Sequence, residues 1–171
     1  MYLAGTRGKK LTLSCAGPLR VSAYVDVAFG CHADGKSHTG TVHRIGEATV
    51  LAKSSKHKMV SKDSTEGELV GLTDRVDGVL RLDEFMSYQG HEMDLPVIFQ
   101  DNMSTISMVT AGGGKYRSKH LRVRQCRLKE KIDQGELVIE YMPTGNMIAD
   151  VLTKPLQGTL FLFMIKKLLN E

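Results

Sequence analysis

Regular patterning begins at residue 20. Over residues 20–29, Val21, Ala23, Val25 and Val27 alternate with Ser22, Tyr24 and Asp26, a period of two that predicts a strand. A turn over 30–36 leads to two more candidate strands, 39–45 and 49–54, joined at Gly46-Glu47. Three short strands on tight turns predict an antiparallel meander. After Lys62 the period changes: Leu69, Leu72, Val76, Val79 and Leu80 recur at helical steps out to about Tyr88. Gly67, Gly71 and Gly78 interrupt this run, at about 1 kcal/mol each relative to alanine, so the helix rests on its apolar period. Residues 95–100 are an apolar burst that predicts a buried fourth strand, and 101–110 a short helix stopped by Gly112, Gly113 and Gly114.

The next helix is two-faced. Leu121, Gln125, Leu128 and Ile132 form one stripe, with His120, Arg124, Arg127 and Lys131 on the adjacent one, so its outside is basic and its inside apolar. Residues 136–141 predict a fifth strand ended by Pro143, and Asn146 a cap for a helix through Leu152. The segment 156–169 is very apolar and needs a surface to pack on, whereas 1–20, broken by Gly5, Gly8, Gly17 and Pro18, reads as a connector. Three strands, helix, strand, helices, strand, helix is the order of an α/β domain with a mixed sheet and helices on its faces.

Size and composition narrow this to one intracellular domain. The 171 residues, 42% apolar, suffice for one core and are short for two. No apolar stretch is long enough to span a bilayer, and the polar start lacks the apolar block of a signal peptide, so no membrane role is expected. Cys15, Cys31 and Cys126 are odd in number and widely spaced, which points to reduced thiols and away from a disulfide framework or zinc site. The net charge of +4 is uneven: residues 115–131 hold eight basic residues and one acid, a balance of +7, leaving the rest mildly acidic. One basic segment on an acidic body suggests a polyanion touched along one edge.

Four acids fall where the element order can gather them: Asp26 in the first strand, Glu68 early in the first helix, Asp101 ending the fourth strand, and Asp150 after the fifth. If strands one and four are neighbours, Asp26 and Asp101 emerge side by side. Clustered carboxylates repel and are sustained mainly by divalent cations. Oxygen ligands without Cys or His suit Mg2+ or Mn2+, and a pair of such ions is the usual apparatus for in-line phosphodiester attack. Only Asp26, on a strand among apolar neighbours, is odd in itself, and the other three acids each have a plainer use. Glu68 fits a capping box begun by Thr65, Asp101 can cap the helix after it, and Asp150 can be a solvated helix residue. The residues alone therefore stop at an α/β domain with a possible metal site.

Specific motifs go further. Tyr24-Val-Asp-Val-Ala-Phe-Gly30, Lys53-Ser-Ser-Lys56, Ser64-Thr-Glu-Gly-Glu-Leu-Val70, Phe99-Gln-Asp-Asn102, Ser118-Lys-His120, Tyr141-Met-Pro-Thr144 and Ile148-Ala-Asp-Val-Leu-Thr-Lys-Pro155 resemble, in order and spacing, the ribonuclease H region of copia-type retrotransposon Pol polyproteins. Tyr2-Leu-Ala-Gly-Thr-Arg7 is similar to that family's junction with reverse transcriptase. The resemblance implies a ribonuclease H-like fold, with a mixed five-stranded sheet of three antiparallel strands then two parallel. It divides the chain into a connector remnant (1–20), the ribonuclease H-like domain (21–155) and an apolar helical tail (156–171). It also implies endonucleolytic cleavage of the RNA strand of RNA/DNA hybrids by two Mg2+ ions, with Mn2+ as the substitute, held by Asp26, Glu68, Asp101 and Asp150. Glu68, followed by Leu-Val-Gly-Leu, fits the family's glutamate better than Glu66. Lys115, Arg117, Lys119, His120, Arg124, Arg127 and Lys131 are the expected hybrid contacts, a reverse transcriptase domain the expected partner in the parent polyprotein, and the cytoplasmic particle or the nucleus the expected setting. The alternative is a catalytically inactive remnant that binds nucleic acid through its basic helix.

Overall fold

A single five-stranded sheet organises the computed structural model, which describes residues 7–14, 17–111 and 118–171. Its strands are β1 (Arg20–Ala28), β2 (His38–Ile45), β3 (Ala48–Lys56), β4 (Asp94–Gln100) and β5 (Val138–Tyr141), in the order β3-β2-β1-β4-β5. β1, β2 and β3 pair antiparallel, while β4 lies parallel to β1 and β5 parallel to β4. The expected architecture of three antiparallel strands followed by two parallel ones is thus the observed one. The helices are α1 (Ser64–Tyr88), α2 (Met103–Ala111), α3 (Lys119–Asp133) and α4 (Gly158–Leu169), with two 3₁₀ turns at Thr144–Asn146 and Ile148–Leu152.

Strand alternation sends β1 to both faces. Val21, Ala23 and Val25 pack with Ile98 against Leu69, Leu72, Val76 and Val79 of α1 and Leu121 and Leu128 of α3. Full burial of each leucine contributes about 1.5–3 kcal/mol, which fixes α1 and α3 through the predicted stripes. On the other face, Val42 packs with Ile148 and with Met164, Ile165 and Leu168 of α4, and Tyr24 meets Phe99 with ring centroids 4.9 Å apart. The apolar tail therefore finds its surface within the chain. The described part of the connector lies against the end of α4, where Thr12 N donates to Leu169 O at 2.8 Å.

Three local expectations are corrected. The cap of α1 is Asp63, whose carboxylate accepts from Glu66 N at 2.8 Å, because the chain is already helical at Thr65. Asn146 caps nothing: the segment after it is the 3₁₀ turn Ile148–Leu152, started by Met147 without a side-chain cap, and Asn146 Oδ1 instead accepts from Lys167 at 3.2 Å. The cap ahead of α2 is Asn102, which accepts from Thr105 N at 3.0 Å, so Asp101 is not used there. Gly112 to Gly114, Lys115, Arg117 and Cys15 lie outside the described residues. Cys31 and Cys126 are free thiols.

Candidate metal centre and nucleic-acid face

Parallel pairing of β1 with β4 brings the C-terminal ends of both strands to one edge. The register Tyr24↔Phe99 continues toward Asp26 and Asp101. Asp63 starts α1 so that Glu68, in its second turn, reaches the same edge. Ligand oxygens of Asp26, Glu68 and Asp101 all lie within 4.8 Å of one another. Asp26 and Glu68 are only 3% and 5% exposed, and Asp101 is half-buried. Glu66, the other candidate at this position, is not part of the cluster. Asp150 is also buried but stands beside the trio. Lys154 Nζ links it to Asp26, at 3.0 Å from Asp150 Oδ1 and 3.2 Å from Asp26 Oδ1.

Neutral groups hold the carboxylates in place. Gln100, fully buried at the end of β4, donates from Nε2 to Glu68 Oε2 at 3.0 Å. Its Oε1 accepts from Asp101 N at 2.7 Å and Asn102 N at 3.0 Å. One amide thus locks α1 to the turn after β4. Thr144 Oγ1 donates to Asp101 Oδ2 at 2.9 Å, and Thr153 Oγ1 donates to Asp26 Oδ2. Gly40 lets the second 3₁₀ turn lie on β2, since a Cβ there would stand 2.7 Å from Ala149 O.

The electrostatics follow from burial. Glu68 is pushed well above the usual carboxylate range, by burial first and by the Asp26 charge second. Asp150 is pushed up to about 6, chiefly by burial, against the lowering bond from Lys154. Among the described residues, Lys154 is the one cation paired with these four acids, which leaves them short of positive charge. An all-oxygen donor set with uncompensated charge fits a hard divalent cation. Gln100, Thr144, Thr153 and Lys154 were not singled out in the sequence. All four stand inside its motifs, but nothing in periodicity marks a buried amide, a carboxylate-orienting hydroxyl or an inward lysine.

The basic helix is tied to the fold more than its charge suggests. Arg124 bonds to Thr73 Oγ1 at 2.9 Å and to Asp74, Arg127 pairs with Asp77 at 2.7 Å, and Lys131 with Glu136 at 2.8 Å. The pairs 124 with 74 and 127 with 77 run in step, so α3 begins toward the Glu68 end of α1. Lys119 and His120 are exposed there, and His120 Nδ1 lies 2.6 Å from Ser118 Oγ.

No protein-family model matches the chain. Over 97% of its length it is 24% identical to the truncated transposon Ty1-A Gag-Pol polyprotein of Saccharomyces cerevisiae, and it spans 14% of that relative's length. Other Ty1 Gag-Pol polyproteins of that yeast match equally, with 10% of their length spanned. Among solved structures, LC11 ribonuclease H1 isolated from compost aligns with TM-score 0.60 at 15% identity, over 78% of this chain and 92% of that one. The same enzyme in complex with an RNA/DNA hybrid aligns at 0.51 and 13% identity, over 74% and 88%. The ribonuclease H domain of prototype foamy virus aligns at 0.56 and 12% identity, over 82% and 95%.

Proposed function

We propose, from a chain that has the ribonuclease H fold and is homologous along nearly all its length to copia-type Gag-Pol polyproteins of the Ty1 group, that it cleaves the RNA strand of RNA/DNA hybrids during retrotransposon reverse transcription. The observation that carries this reading is the meeting of Asp26, Glu68 and Asp101, from three separate elements, within 4.8 Å. Two divalent cations, Mg2+ or Mn2+, held by these carboxylates with Asp150, would supply Lewis acidity toward the scissile phosphate and an acidified water. The chain's own residues prepare the position. Gln100 fixes the distance between Glu68 and the Asp101 turn, so the carboxylate spacing exists before substrate arrives. Thr144 and Thr153 orient Asp101 and Asp26. No histidine occurs in residues 141–148, so no histidine is given a proton-transfer role.

Hybrid recognition falls to the start of α3 and the segment before it: Lys115, Arg117, Lys119 and His120, with Arg124, Arg127 and Lys131 along the helix. The ion pairs of Arg124 and Arg127 are exposed and worth less than about 1 kcal/mol each, so phosphates can compete for these guanidinium groups. Contacts of this kind read phosphate and shape with little base information. The test is cleavage of an end-labelled hybrid with Mg2+ and with a chelator, beside single-stranded RNA and duplex DNA. Metal-dependent cutting of the RNA strand of the hybrid alone supports the reading. Salt-sensitive hybrid binding without cutting would make the chain a nucleic-acid-binding remnant.

A further inference from the structure

Two histidines meet on the β2–β3 side of the sheet, outside the carboxylate cluster. His38 opens β2, opposite Ala28 of β1 and Lys56 of β3, and His32 reaches it from the turn over 30–36. The protons of this contact can be placed. Ser54 Oγ donates to Leu152 O at 2.7 Å, which uses the only proton the hydroxyl has. The serine therefore accepts from His38 Nε2, 2.6 Å away. With its proton on Nε2, a neutral His38 presents a lone pair at Nδ1, and His32 Nε2 stands 3.0 Å from that atom. Burial first, and then the nearby His32, lower His38 below its ordinary pKa, which favours the neutral ring. Both rings are half-buried. His38 is thus held in the tautomer that a metal requires, its other nitrogen anchored through Ser54 to the 3₁₀ turn Ile148–Leu152. An outer hydrogen bond of this kind is what orients histidine ligands in metal sites.

We propose that His32 Nε2 and His38 Nδ1 form a site for one imidazole-preferring divalent ion, Zn2+ or its chemical neighbours, with water in the remaining positions. Two nitrogens of a tetrahedral zinc site, at Zn–N of about 2.0–2.1 Å, stand about 3.3 Å apart, so the rings need to part by only about 0.3 Å. The protons balance: His38 keeps its proton on Nε2, and His32 moves its own from Nε2 to Nδ1, so both rings ligate as neutral imidazoles. The donor set distinguishes the site from the carboxylate cluster, because nitrogen donors suit Zn2+, Ni2+ and Cu2+ whereas the all-oxygen cluster suits Mg2+ and Mn2+. The neighbouring lysines, Lys36 and Lys56, pair with Asp34 at 3.2 and 2.8 Å, which directs their charge to that carboxylate. An ion held here ties the turn over 30–36 to β2 and, through Ser54, to the turn that carries Asp150. It braces the fold at that edge and uses no residue of the carboxylate cluster.

The experiment is Zn2+ titration of the full chain in excess Mg2+ and a reductant, followed by calorimetry and by the nitrogen NMR shifts of the histidine rings. It compares wild type with His32→Gln, His38→Gln, the double variant, Ser54→Ala and Cys31→Ser. Wild type should bind one Zn2+ more than the double variant does, and each single histidine variant should lose that ion. Ser54→Ala should weaken it by about tenfold, since the outer hydrogen bond is gone. Cys31→Ser should leave it unchanged. On Zn2+ addition the shifts of His32 Nε2 and His38 Nδ1 should move most, and the melting temperature of wild type, but not of the double variant, should rise. Melting in chelator checks that the variants fold, and the ring shifts decide the question on wild type alone if one does not. Equal Zn2+ binding by wild type and the folded double variant would overturn the proposal. So would ring nitrogens that stay unmoved, or an ion lost in Cys31→Ser and kept in the histidine variants. None of these results touches the reading of the carboxylate cluster.

Discussion

Glu68 and Asp150 are the residues whose surroundings least favour their own charge, and this gives the free protein a definite pH response. Burial raises Asp150 from 3.8 to about 6 and Glu68 further above its ordinary value. Below pH 4 folded and unfolded chains both carry the Asp150 proton. Between about 4 and 6 only the unfolded chain ionises, so stability present at low pH is lost as pH rises, by on the order of 1–3 kcal/mol. His43 titrates in the same window with opposite sign, since burial and Arg75 lower it from 6.5 to about 4. The informative quantity is therefore the stability of wild type minus that of Asp150→Asn, measured by denaturation in chelator from pH 4 to 7. It should fall with pH and flatten when Mg2+ is added; a difference independent of pH would contradict the burial account. Asp26 was the one acid whose place on an apolar strand looked odd in the sequence. The plain uses of Glu68 and Asp101 disappeared only when Asp63 and Asn102 proved to be the caps, a choice among neighbouring polar residues that spacing cannot make.

Helix α1 shows how an element carries the site and what its glycines do. At Gly71 a Cβ would stand 2.6 Å from Val27 Cγ2, whereas at Gly67 the nearest atom is 3.5 Å away. Gly71→Ala should therefore press on the strand that carries Asp26 and destabilise by about 1–3 kcal/mol. Gly67→Ala should stabilise by about 0.5–1 kcal/mol through helix propensity. Thermal melting of the two variants decides this, and equal shifts would contradict the packing. In α3 the pairing with Asp74 and Asp77 makes charge reversal a poor probe, because a glutamate there would face an aspartate. Arg124→Gln with Arg127→Gln removes the positive charges without that repulsion. The slope of log affinity for hybrid against log salt should become shallower by about two, with under about 1 kcal/mol lost per pair. An unchanged slope would confine these arginines to holding α3 on α1. Strands and long helices were legible because each buries one face and so carries its own period. The 3₁₀ turn Ile148–Leu152 was not, since five residues hold little more than one helical turn, too few for a repeating stripe, and they pack against Gly40 of β2.

At the scale of the whole molecule, the sheet order β3-β2-β1-β4-β5 brings Asp26 and Asp101 to one edge, where Glu68 meets them and Asp150 stands beside the trio. The order of elements allowed that arrangement, and the motifs selected it. The placement of α4 across the second sheet face was legible only as a need, because an apolar segment declares that it must be covered and not by what. The chain spans 10–14% of the length of the curated Gag-Pol relatives it matches, and a reverse transcriptase domain as its neighbour in a parent polyprotein is proposed on that likeness. The central claim, that the Asp26–Glu68–Asp101 cluster is a hydrolytic metal centre, is tested most directly at Asp101. Asp101→Asn keeps the side-chain volume, can still accept from Thr144, and leaves Asn102 to cap α2. Cleavage and binding of the same labelled hybrid are measured in Mg2+ on wild type and on Asp101→Asn, with melting temperature as the folding control. The account predicts that cleavage falls by orders of magnitude while binding is kept or tightened, because an anionic ligand is lost and a charge facing phosphate is removed. A wild type that cuts the hybrid and a folded Asp101→Asn that cuts it equally well would contradict the account.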